Sequence, residues 1–132
     1  MAGKTVVAPM PLSTHEVDVT HSRMIYDKLF SADGVIGDIV IKATDVHKED
    51  AAVLRLRITT ILGEVQEFPV PIKKGTEVYD KSLMIERGTH AQLFVDVPKA
   101  EADERGNAQT ITWVSKLVIG FSFIANPKAI RV

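Results

Sequence analysis

The sequence predicts an all-β domain, a sandwich or barrel of antiparallel strands. Short alternating apolar segments recur, with turn signals about every ten residues. No segment sustains a long helical period of apolar residues. The chain has 132 residues, 45% of them hydrophobic, which is enough for one core and too little for two independent ones.

Residues 1 to 14 read as an extended arm, because Pro9 and Pro11 fix φ and push the residues before them out of helix. In Glu16 to Thr20, Val17 and Val19 alternate with polar residues. Arg23 to Phe30 is the best helical candidate, short enough to be a single turn. Asp33-Gly34 and Gly37 bracket an expected turn before a β-branched strand, Asp38 to Ala43. Val46 to Asp50 is a charged turn. Val53 to Ile61 alternates most clearly: Leu54, Leu56 and Ile58 face one way, Arg55, Arg57 and Thr59 the other.

After Gly63, residues 64 to 72 form another strand with Phe68, Val70 and Ile72 on one face. Pro69 and Pro71 lack N–H groups on the same side, which places this strand at a sheet edge. Lys73-Lys74-Gly75 turns the chain into Glu77 to Glu86, and Arg87-Gly88 turns it again. His90 to Val97 then puts Ala91, Leu93, Val95 and Val97 inward. The polar run Lys99 to Asn107 reads as a solvated hairpin tip. In Gln109 to Ile124 the residues Ile111, Trp113, Leu117, Ile119, Phe121 and Phe123 all fall at odd positions. Sixteen extended residues would span roughly 53 Å, so this strand is expected to bend near Ser115 or Gly120, or to split. The tail from Asn126 to Val132 leaves the sheet at Pro127. Nine residues form the predicted core: Leu54, Leu56, Ile58, Leu93, Val95, Leu117, Ile119, Phe121 and Phe123.

Composition narrows the function. Sixteen basic and seventeen acidic residues leave a net charge of −1, without the basic excess that holds nucleic acid. With no cysteine there is no disulfide, thiolate metal site or cysteine nucleophile. The longest nearly apolar run, Leu117 to Ala125, is half of a membrane-spanning helix, and the proline-broken start does not resemble a signal-peptide core. Neither nucleic acid nor a membrane is an expected partner.

The residues spell out no catalytic motif: there is no nucleophile elbow, phosphate-cradling glycine loop or dinucleotide fingerprint. No enzymatic activity, cofactor or metal is expected. His15 and His21 in HEVDVTH share a strand face but lie about 20 Å apart, too far to share an ion. His47 and His90 have no ligand-spaced neighbour. Glu101, Asp103 and Glu104 cluster in the polar tip, but EADER lacks the alternating ligands of a calcium loop. Arg55 and Arg57 either solubilise an exposed face or grip a carboxylate or phosphate of a partner. Trp113 is expected in the core.

The order of FPVPIKKG at 68 to 75, ERGTHAQLFVDVP at 86 to 98 and WVSKLVIGFSFIAN at 113 to 126 resembles the small cement or decoration proteins of bacteriophage capsids. The charged loop from Lys99 to Asn107, and a start that is not rich in Ser, Thr and Ala, depart from that pattern. The resemblance implies an antiparallel β-sandwich of jelly-roll type, residues 15 to 132, behind the arm of residues 1 to 14. It implies a virion protein of the capsid surface, made in the host cytoplasm. Its partners would be the major capsid protein and copies of itself, as a homotrimer. Partner contacts are expected from Val6, Val7, Met10 and Leu12 on the arm, from Arg55 and Arg57, and from the edge prolines Pro69 and Pro71. The other reading of the residues is a non-catalytic module that holds a carbohydrate or peptide on a sheet face.

Overall fold

The computed structural model describes residues 10–99, 105–106 and 110–125. Its strands are β1 (Met10–Ser13), β2 (Val17–Val19), β3 (Arg23–Leu29), β4 (Gly34–Ala43), β5 (Asp45–Val46), β6 (Val53–Thr59), β7 (Val65–Pro71), β8 (Gly75–Ile85), β9 (His90–Asp96) and β10 (Val114–Ala125). All pair antiparallel. One sheet runs β1-β10-β4-β8, with β2 and β5 also on β10; the other runs β3-β9-β6-β7. β5 extends β4 along one side of β10, and β2 follows β1 along the opposite side. Counting each pair as one strand leaves eight strands, in the orders 1-8-3-6 and 2-7-4-5. That is the double Greek key of a jelly roll, and strand order alone establishes it.

Period two places the core. All nine residues predicted to be buried are buried. Leu54, Leu56, Ile58, Leu93 and Val95 come from the second sheet; Leu117, Ile119, Phe121 and Phe123 come from the first. Trp113 is also core, 5% exposed. The β7 edge is where Pro69 and Pro71 predict it, outside β6 and with no further strand beyond it among the described residues.

Bulges account for the departures from expectation. Of the segment Arg23 to Phe30, Arg23–Leu29 forms strand β3, not a helical turn. Its register on β9 shifts between Met24 and Tyr26, so Ile25 and Tyr26 both pack partly against the core. That shift breaks the alternation by which a strand is recognised. Gly37 is not a turn but lies inside β4, where the register slips against both β8 and β10. The bend expected near Ser115 is a bulge. Val17 and Val19 face Leu117 and Val114, Lys116 adopts φ 53°, and its N–H donates to Asp18 Oδ1 at 2.9 Å. Asp18 thus satisfies the amide that the bulge frees.

Part of the segment read as an arm is strand. β1 pairs with β10 from Met10 to Ser13, and Leu12, opposite Phe121, packs against the core. Buried Thr14 closes the strand. Its N–H donates to the Ile119 carbonyl and its Oγ1 accepts the Ile119 N–H, both at 2.9 Å. Residues 10 to 14 therefore belong to the domain; residues 1 to 9, including Val6 and Val7, lie outside the described residues. Thr14→Val keeps the shape but strands the Ile119 N–H, and is expected to cost about 1–3 kcal/mol in urea unfolding.

Candidate functional site

The outer face of the β3-β9-β6-β7 sheet carries the two arginines expected to meet a partner, and the structure separates their roles. Arg55 Nε donates to Asp96 Oδ2 at 2.9 Å and its Nη1 to Glu67 Oε2 at 2.5 Å. Its guanidinium also stands 4.5 Å over the Phe94 ring. Hydrogen bonds to Asp96, then Glu67, raise its already high pKa. The expected partner carboxylates of Arg55 are thus found within its own sheet, on strands β9 and β7. Arg57 has no ion pair among the described residues, and its Nε is buried without an acceptor. On the same face His90 Nε2 meets Asp27 Oδ1.

The other expected contact residues are scattered where the structure describes them. Pro69 and Pro71 are exposed on β7. Met10 pairs opposite Phe123 on the far sheet, and Leu12 is engaged in its own core. The structure does not gather these residues into one surface.

Among the described residues the polar clusters come together in no catalytic constellation. His21 Nδ1 bonds to Thr20 Oγ1 at 2.9 Å, while Asp18 serves the bulge. Glu101, Asp103 and Glu104 lie outside the described residues. Among the described residues no group of three or more His, Asp or Glu side chains could hold a metal ion. A depression of about 450 Å³ lies beside Trp113, walled by His47, Glu49, Asp50, Pro98 and Ile111. The His47 ring meets the indole edge-on at 5.3 Å. Since Trp113 itself is almost wholly buried, this depression offers little aromatic surface for a ligand to stack on.

One end of the sandwich is different. The turns after β3, β6 and β8 meet there, beside the end of β10. They are tied together: Phe30 N–H donates to the Thr89 carbonyl at 2.9 Å and Gly88 N–H to the Phe30 carbonyl at 2.8 Å. Asp33 Oδ1 accepts from the Arg87 N–H at 2.7 Å. Ile61 lies against Gly88, where an added Cβ would come within 2.9 Å of its Cδ1. Eight large apolar side chains are exposed among the described residues, and six of them sit at this end: Leu29, Ile61, Leu62, Val65, Met84 and Ile124. Leu62 is 85% exposed, Met84 79% and Ile61 72%. Clustered exposure of this kind marks an interaction surface. Sequence reading missed it because the residues are spread from position 29 to 124. The pair Ile61-Leu62, set in a turn just before Gly63, was the one local signal.

No protein-family model and no curated protein sequence matches the chain. Among solved structures, it is similar to the VP2 subviral particle of infectious bursal disease virus. That likeness has 14% identity and a TM-score of 0.44 and covers 99% of this chain and 39% of the other. The structure of the Gx strain of the same virus is also similar, at 10% identity and a TM-score of 0.35, over 92% of this chain and 42% of that one. The chain thus spans less than half the length of either. Both structures come from infectious bursal disease virus, so neither supports the bacteriophage assignment drawn from the sequence.

Proposed function

We propose that this chain is a structural component of a virus shell, a cement or decoration protein held on the capsid surface by major capsid proteins and by copies of itself. The observation that carries this reading is the apolar end. A jelly roll that presents Leu29, Ile61, Leu62 and Met84 to water at one end gains by covering them. The near-neutral charge and the resemblance of residues 68 to 126 to phage cement proteins support the same reading. A carbohydrate module would instead present exposed aromatic rings, whereas Trp113 is core.

Antibodies against the chain, applied to gradient-purified particles from its source, test the proposal. Labelling of the particle exterior at a fixed ratio to the major shell protein is expected. A chain found only in the particle-free fraction would count against the shell role. Deleting residues 1 to 9 leaves β1 and the Thr14 lock in place. This variant is expected to keep its melting temperature and to bind particles more weakly, since it lacks Val6 and Val7.

A further inference from the structure

On the outer face of the β3-β9-β6-β7 sheet the acceptors around Arg57 are committed elsewhere. Arg57 stands opposite Glu67 on β7 and Gln92 on β9. Glu67 takes Arg55 Nη1 at 2.5 Å, while Gln92 Nε2 reaches the Met24 sulfur at 3.5 Å. The next carboxylate along the row is Asp27, opposite Gln92, and it meets His90. Asp96 holds Arg55 as well, so two carboxylates serve one guanidinium. Arg57 has no ion pair among the described residues, and its Nε is shut off from water without an acceptor. A buried donor left unmade costs more than a made bond contributes. An acceptor brought from outside is therefore favoured at this side chain.

The surroundings of Arg57 say what kind of molecule would bring it. Leu29, His90, Thr59 and Val65 pair in turn across β3, β9, β6 and β7. This is the neighbouring row on the same face, about 7 Å from Arg57 along β6. Its two ends, Leu29 and Val65, are exposed apolar side chains. The chain then runs into the turn that exposes Ile61 and Leu62. Arg57 thus lies one row inside an apolar border. A free phosphate or a nucleic acid backbone makes no use of that border. A protein segment with an acidic side chain between apolar ones matches the cation and the border together.

We propose that Arg57 anchors a carboxylate of a partner protein, an Asp or Glu side chain whose apolar neighbours cover Leu29 and Val65. One guanidinium gives a carboxylate two parallel N–H bonds, a geometry that lysine cannot reproduce. Arg55 is not part of this grip, since Asp96 and Glu67 already hold it. The proposal supplies the partner's chemistry and rests on the shell reading only for which protein the partner is.

Heteronuclear NMR of the full chain, following the arginine Nε–H groups and the methyl groups, tests the site. The probes are two end-capped tripeptides, Leu-Glu-Leu and Leu-Gln-Leu, and inorganic phosphate. The acidic peptide is expected to move the Arg57 Nε–H signal together with the Leu29 and Val65 methyls. The Arg55 Nε–H, held by Asp96, should stay in place. Leu-Gln-Leu should bind at least ~10-fold more weakly. Arg57→Met keeps the stem without the guanidinium and should lose the discrimination between the peptides. It should melt no lower than the wild type, because it deletes a donor that the fold leaves unbonded. An unmoved Arg57 signal, equal affinity for both peptides, or a phosphate response as strong as the acidic peptide's would each overturn the site. So would a clear fall in melting temperature for Arg57→Met, which would give the guanidinium a partner within its own fold. No particle enters the titration, so loss of the shell role leaves the site standing. A chain that labels particles but ignores the acidic peptide loses the site alone.

Discussion

Phe121→Ala is expected to destabilise the domain by about 3–5 kcal/mol. Phe121 lies on β10, the strand that joins the first sheet, and is 7% exposed. Its ring takes the edge of Tyr26 from the opposite sheet at a centroid distance of 5.3 Å. On its own sheet it pairs with Leu12 on one side and Ile39 on the other. Truncation leaves a hole between sheets that β10 cannot move to fill, because β1 and β4 hold it on both sides. A small domain has only about 5–15 kcal/mol to lose, so the variant should sit near the edge of unfolding at physiological temperature. Urea titration gives the value directly. A loss under about 1 kcal/mol would mean that Phe121 is not a bridge between the sheets.

Gly34→Ala is the second large effect, with an expected cost of about 3 kcal/mol. A Cβ at Gly34 would lie 2.4 Å from the Ile124 carbonyl oxygen and 2.5 Å from Cζ of Phe123. The oxygen is backbone in a paired strand, and the Phe123 ring packs on Phe30 at 4.7 Å. Neither can yield without parting β4 from β10 at the apolar end. The substitution should therefore lower the melting temperature. Gly106→Ala is the comparison, since nothing lies within 4 Å of an added Cβ there. Strain from its positive φ (80°) is the only cost expected at that site.

Much of this architecture is legible because strands β6 and β9 keep strict alternation. Leu54, Leu56, Leu93 and Val95 announce their buried face, and Pro69 and Pro71 announce the edge. The bend beside Ser115 is legible from length alone, since one straight strand of that size would outrun the domain. Where alternation fails, reading fails with it. The bulge between Met24 and Tyr26 puts two neighbouring side chains partly inward, so β3 mimics a helical turn. Gly37 inside β4 mimics a loop.

The site was less legible than the fold, because its parts meet only through long-range pairing. Arg55 looks available until β9 brings Asp96 and β7 brings Glu67 beside it. Leu12 looks like an arm residue until β1 pairs with β10. Leu29, Ile61, Met84 and Ile124 belong to four strands or turns and come to one end of the sandwich only when the jelly roll closes.

Cryo-electron microscopy of intact particles from the chain's source tests the shell role most directly. The account predicts an ordered jelly-roll density on the capsid exterior, with the end bearing Ile61, Leu62 and Met84 covered by protein. Particles without such a density, or a bound domain that turns this end to bulk solvent, would contradict it.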